Sequence, residues 1–339
     1  MKKPFALLLI AALCLTACAF AEDYSSLEKV VLIGADSTSK GAAGQIFGEY
    51  VAQRVDEITG GQLTIDYYPN GVLGEDADLI SQVQNNDIQL VVCQTAPTVS
   101  FIPEMAVFDL PMVFSKYDGD TINAALNGEN EFNSALSAAY ENGGMHLLGF
   151  LQNATYRLTT ANVELNTLAD FSGLQIRTME NTNHMAFWQA IGAEPTPLAW
   201  AELYIALQNG TVDAQENAAD TCVGASFQEV QKYLACTNHI LYCNQICMSK
   251  IAWDELDPAY QAALTQAVTE AIEYMRPQLE QMDADSKQAL IDGGMTLIEY
   301  EDSFYDEILA LDSVQALYTE IDENQVNGLG TLLVAELAK

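Results

Sequence analysis

Two rhythms of apolar residues alternate along the chain. Residues 29–34, KVVLIG, make a short continuous apolar run of the kind that forms a buried strand, and residues 42–58 carry an amphipathic helical pattern ending at Gly60-Gly61. LTIDYYP then reads as a second strand, Asn70-Gly71 as a turn, EDADLISQVQNN as a helix and IQLVVC as a third strand. This alternation predicts a mostly parallel sheet covered by helices. It restarts after a helical stretch near 131–141, with MHLLGFL and GLQIRT as strands and helical patterns over 182–191 and 200–208. A second α/β unit is expected, in line with 339 residues against roughly 150 per domain. From 257 to about 291 the pattern is helical and broken only by Pro277, which is expected to kink it. About 35 residues at 1.5 Å each reach roughly 50 Å, enough to run across two units.

The first residues stand apart from this pattern. Lys2 and Lys3 precede an apolar run over 5–15 that is too short to span a bilayer and has the layout of a secretory signal. The run ends in Leu15-Thr16-Ala17-Cys18, which resembles the bacterial lipobox, so residues 1–21 are expected to be a signal peptide and tether with Cys18 lipidated. Cleavage after Ala19-Phe20-Ala21 is the alternative, and either route puts the rest of the chain outside the cytoplasmic membrane. No later stretch is long and apolar enough for a transmembrane helix.

Charge narrows the partners. With 13 basic against 47 acidic residues the formal net charge is −34, a field that repels nucleic acid and anionic lipid. Half of the residues are hydrophobic (50%), which excludes a disordered chain. Cys93, Cys222, Cys236, Cys243 and Cys247 follow the leader; their odd number leaves at least one free, and spacing does not give a pairing.

Catalytic and metal patterns are poor. Ser37-Thr38-Ser39-Lys40 matches S-x-x-K, yet the companion S-D-N and K-T-G motifs of acylating enzymes are absent, so an exported serine hydrolase using Ser37 and Lys40 is a weak alternative. Cys236, His239, Cys243 and Cys247 lack the paired C-x-x-C of structural zinc sites. A strand over 238–248 would spread His239, Cys243 and Cys247 too far to meet one ion, and no metal or cofactor is expected. His146 and His184 show no partner pattern.

Arg177 is different in its placement. Between Lys116 and Lys232 the basic residues are Arg157 and Arg177. The strand over 173–177 delivers Arg177 at a carboxyl end just before a helix, the edge where α/β sheets bind ligands and where helix N-termini favour anions. A structural ion pair is the competing role for Arg177, and Arg157 offers a second cation. Trp200 opens a helix after Pro195-Thr196-Pro197, placed equally for ligand stacking or for packing with Leu203 and Leu207. Asn217 ends TVDAQEN and alone would read as a cap.

Taken together, TGGQLTIDYYPNGVLGED, FIPEMAVFDLPMVF, GLQIRTMEN, GAEPTPLAWAELYIALQNGTVDAQEN and FQEVQKYLACTNHI resemble the DctP-type solute-binding proteins of tripartite ATP-independent periplasmic (TRAP) transporters. The resemblance covers essentially the whole chain after the leader. It implies that Arg177 forms the main salt bridge to a ligand carboxylate and that Asn217 also contacts it, although Ala214 stands where glycine is usual. By the same match Trp200 is the pocket aromatic, Arg157 a second arginine within the departing segment QNATYRLTT, and Gln94 a polar contact from the first domain. The implied fold is a two-domain periplasmic-binding-protein type with hinge strands and one long helix spanning both domains. Its first domain takes residues 27–153 plus about 242–280, its second 154–241 plus about 281–337, with crossings near Gln152 to Thr155 and Leu241. The implied function is extracytoplasmic capture of a small organic acid, such as a uronate or a C4-dicarboxylate, and delivery to TRAP membrane permease subunits, with the binding protein a monomer. A sensory protein presenting the acid to a membrane receptor is the alternative.

Overall fold

The computed structural model describes residues 23–339, so Cys18 and the leader lie outside the described residues. In the first part of the chain β1 (Val30–Asp36), β2 (Leu63–Tyr68), β3 (Leu90–Gln94) and β4 (Met145–Leu151) are interleaved with α1 (Ala43–Thr59), α2 (Asp76–Gln84), the single turn α3 (Thr95–Thr98), α4 (Gly119–Asn127) and α5 (Glu131–Asn142). The second part contributes β5 (Leu158–Ala161), β6 (Gln175–Thr178), α6 (Thr182–Ala190), β7 (Glu194–Pro197), α7 (Trp200–Gln208), β8 (Ala214–Asn217), α8 (Ala219–Gly224) and β9 (Tyr233–Ala235). The chain then returns through β10 (Asn244–Ser249) and α9 (Lys250–Glu255) into α10 (Pro258–Asp292), and ends with β11 (Thr296–Ile298), α11 (Asp302–Leu309), α12 (Asp312–Thr319) and α13 (Leu329–Leu337).

Two sheets result, one of order β2-β1-β3-β10-β4 and one of order β11-β9-β5-β8-β6-β7. β1 pairs in parallel with β2 and β3, while the returning β10 enters antiparallel between β3 and β4. Each sheet is apolar enough to be covered on its faces: Phe47, Val51 and Val55 of α1 are fully buried at four-residue spacing, and Leu203 and Leu207 of α7 do the same for the second sheet.

The units are joined by paired extended segments. Arg157 N–H donates to Ile240 O at 2.9 Å, Tyr242 N–H to Thr155 O at 2.9 Å, and Tyr156 bridges Leu241 antiparallel. This pairing corrects the strand expected over 238–248. Asn238 sits in the left-handed region (φ 44°), residues 240–242 belong to the hinge, and the sheet strand begins at Asn244.

The 35 residues of α10 stay helical through Pro277, which forfeits one backbone hydrogen bond. It packs on α1 and β4 of the first unit and on α8 of the second. Next to the proline, Arg276 donates to Gln152 O at 3.3 Å and to Asp120 at 2.8 Å, tying the helix to the outgoing crossover. The last helix departs from the expected division: α13 packs against α4 and α5 of the first unit, because its buried face (Leu329, Leu333, Leu337) completes the apolar core beneath them.

Candidate functional site

Arg177 lies on β6, in register with Thr196 of β7 and Gln215 of β8. Its side chain is buried, 3% exposed, at the edge of a cavity of about 420 Å³ between the units. Nε and Nη2 donate to the carbonyl oxygen of Leu198 at 3.0 and 2.7 Å, and the guanidinium carbon stands 5.8 Å from the centre of the Trp200 ring. Arg54, Arg157 and Arg276 each pair with a carboxylate; among the described residues Arg177 pairs with none. Burial pushes its pKa down to about 10, against the pull of Glu216, so the group remains a cation at neutral pH. A buried cation without a counter-ion is costly, and the ion-pair role is ruled out by the absence of a partner among the described residues.

Asn217 closes β8 and is 2% exposed. Its Oδ1 accepts from Ala218 N–H at 3.2 Å, and its amide nitrogen is uncommitted. Trp200, the first residue of α7, lines the cavity and packs edge-on against Phe227 at 5.7 Å. Gln94 lines the cavity from the end of β3.

Arg157 is placed otherwise. It is absent from the cavity wall and 2% exposed, with Nε and Nη2 donating to the Glu216 carboxylate and Nη1 to Oε1 of Gln94. It therefore stands behind the wall and holds Gln94 across the gap between the units. Glu216 was not singled out in the sequence, although it directly precedes Asn217. Burial works against its charge, yet Arg157, the hydrogen bond with His239 and the imidazole of His184 3.7 Å away hold its carboxyl well below the usual range. His184 contacts Asp109 at 3.1 Å; burial opposes its charge, but Asp109 and Glu216 raise its pKa to about 9. His239 lies 3.2 Å from Glu216 and 3.1 Å from Thr237, and burial lowers its pKa. These partners are far apart in sequence, so no local pattern reveals them.

The other candidate chemistries are accounted for by ordinary contacts. Ser37 donates its hydroxyl to Asp76 in the cavity wall, whereas Lys40 is exposed and no part of that wall. Burial pushes the Asp76 carboxyl up to about 6. Cys93, Cys222, Cys236, Cys243 and Cys247 are buried free thiols, and no cluster among the described residues has the composition of a metal site.

Residues 34–330 match the model of DctP, the bacterial extracellular solute-binding protein family 7. The chain belongs to the DctP family. Membership makes it an extracytoplasmic solute-binding protein of the TRAP class. The chain is 30% identical over 239 residues to the 2,3-diketo-L-gulonate-binding periplasmic protein of Escherichia coli (strain K12), covering 70% of each chain. A TRAP periplasmic solute-binding protein from Ochrobactrum anthropi superposes with a TM-score of 0.81 at 29% identity, covering 92% of this chain and 95% of that one. One from Sulfitobacter sp. NAS-14.1, with bound β-D-galacturonate, superposes with a TM-score of 0.81 at 27% identity, covering 91% and 99%. The DctP family fold is thus the two-unit arrangement described above, with its cavity between the sheets.

Proposed function

We propose that this DctP-family protein captures a small organic acid through its carboxylate on Arg177 and delivers it to the membrane subunits of a TRAP transporter, as a monomer held at the outer face of the membrane through Cys18. The buried, unpaired guanidinium of Arg177 in the cavity wall carries this reading. A ligand carboxylate supplies the missing anion, and each charge-assisted hydrogen bond contributes about 1.5–3 kcal/mol. The free amide nitrogen of Asn217 is a second donor to the same carboxylate, and Trp200 covers the site from α7. Gln94, its oxygen held by Arg157, offers its amide nitrogen to the ligand from the opposite wall.

The rest of the lining favours one type of acid. Glu75, Asp76, Asp78 and Glu180 line the cavity, and Arg177 is the basic residue in it. A second carboxylate would face these acids, whereas hydroxyl groups would donate to them. A sugar acid such as a uronate therefore fits better than a C4-dicarboxylate, and the galacturonate bound by the Sulfitobacter relative agrees with that choice.

Thermal unfolding with D-galacturonate, D-gluconate and succinate tests the reading. A ligand at 100 times its dissociation constant stabilises by about 2.7 kcal/mol, so the sugar acids are expected to raise Tm and succinate to raise it less. Arg177→Gln should abolish the shift while the protein stays folded. Absence of any shift in the wild type, or a shift retained in Arg177→Gln, contradicts the proposal.

A further inference from the structure

Two helix N-termini that meet the gap between the units begin after alanine. α1 follows Ala42 and α7 follows Ala199, and neither residue has a side-chain acceptor to cap the free N–H groups of the first turn. Each helix is instead capped from the opposite unit. Glu75, the N-cap residue of α2 in the first unit, accepts from Ala201 N–H in α7 at 3.0 Å. Asp220, in α8 of the second unit, accepts with Oδ2 from Ala43 N–H in α1 at 2.9 Å. Both contacts place a carboxylate at the positive end of a helix dipole, and both exist only while the units are together. Close approach beside Asp220 depends on a missing side chain: a Cβ on Gly224 would lie 2.6 Å from Cβ of Ser39.

We propose that Glu75 and Asp220 are reciprocal latches, positioning residues that hold the two units closed over the occupied cavity and so set how long the ligand stays. The inference rests on the reading that the cavity closes on an acid. Glu75 also edges the cavity, but Asp220 lies outside it, so an effect of Asp220 on the ligand has to pass through closure.

The test uses the chain with spin labels on cysteines introduced at Val72 and Ile205, one in each unit and 66% and 54% exposed, while the five cysteines among the described residues are buried. D-galacturonate is the probe, with D-gluconate as the second acid. Wild type is expected to show a short label distance at saturation. Glu75→Ala and Asp220→Ala should each move population to longer distances and raise the dissociation rate about fivefold, the effect of losing one N-cap. Glu75→Gln and Asp220→Asn keep an acceptor oxygen and should recover most of it, and Gly224→Ala should wedge the latch open. The ligand-free Tm of Asp220→Ala should change little, because in the open form the end of α1 is hydrated, whereas a purely structural role would lower it; Glu75→Ala also loses the capping box of α2, so this readout is taken from Asp220→Ala. Wild-type distances and dissociation rates in both alanine variants overturn the latch and leave Arg177 as the anchor. Binding that survives Arg177→Gln while the latch variants release ligand faster overturns the anchor and leaves the latch. Failure of both acids to close the wild type removes both.

Discussion

Arg157 and Arg177 are both buried, yet they answer opposite needs. Arg157 neutralises Glu216, so replacing it leaves the buried carboxylate to His184 and His239 alone; Arg157→Gln is expected to cost up to about 3–5 kcal/mol and lower the Tm of ligand-free protein. Arg177 has no anion to abandon. Arg177→Gln removes an uncompensated buried charge and should leave the ligand-free Tm unchanged or higher, and unfolding curves of the two variants side by side check the contrast. Asp76 supplies the pH dependence. Its folded pKa of about 6 lies above the ordinary aspartate value of 3.8, so the native state disfavours the ionised form. The resulting cost is fully present above about pH 6 and is relieved as pH falls from there toward about 4, because the native carboxyl takes up its proton while the unfolded one is still ionised. Asp76→Asn should therefore raise Tm at pH 7.5, with the gain vanishing by about pH 4; a gain that persists at pH 4 contradicts this assignment.

At the scale of elements, local pattern was a good guide wherever a segment's burial is decided by its own periodicity. The helices over 200–208 and 258–292 and the strand that carries Arg177 are of this kind, since one apolar face or run defines each. Arg177 was legible for a related reason, being a lone cation at a strand end in an acidic stretch. The hinge over 237–243 was not, because its apolar residues pack between units instead of along one sheet, and the same run of side chains mimics a strand. Equally hidden were the partners of Arg157 and the caps of α1 and α7, which come from residues as distant as Glu216 and Asp220. One interface inside the first unit gives a direct check on element packing. A Cβ on Gly48 of α1 would fall 1.9 Å from the buried hydroxyl oxygen of Tyr67 on β2, so the tyrosine ring would have to shift. Gly48→Ala should thus destabilise by about 1–3 kcal/mol despite the roughly 1 kcal/mol that alanine gains in a helix, and pairing it with Tyr67→Val should reverse the sign. Denaturant unfolding of the two variants reads both numbers.

For the whole molecule, the difficulty is that an acidic protein has to attract an anion. The net charge of −34 acts over the surface and slows the approach of a carboxylate, whereas on the proposed reading Arg177 acts by contact within the cavity between the units. Salt separates the two, because the Debye length falls from about 30 Å at 0.01 M to about 8 Å at 0.15 M, while a buried contact is screened far less. Raising ionic strength should therefore speed association of the bound acid severalfold and leave its dissociation rate nearly constant, so that affinity improves with salt. Stopped-flow binding at the two ionic strengths, monitored by tryptophan fluorescence with Trp200 beside the site, measures both rates. A steering surface of positive potential would give the reverse trend, with association slowing as salt is added. The sign of that slope decides whether capture relies on the field of the molecule or on the one guanidinium that its fold buries against the cavity.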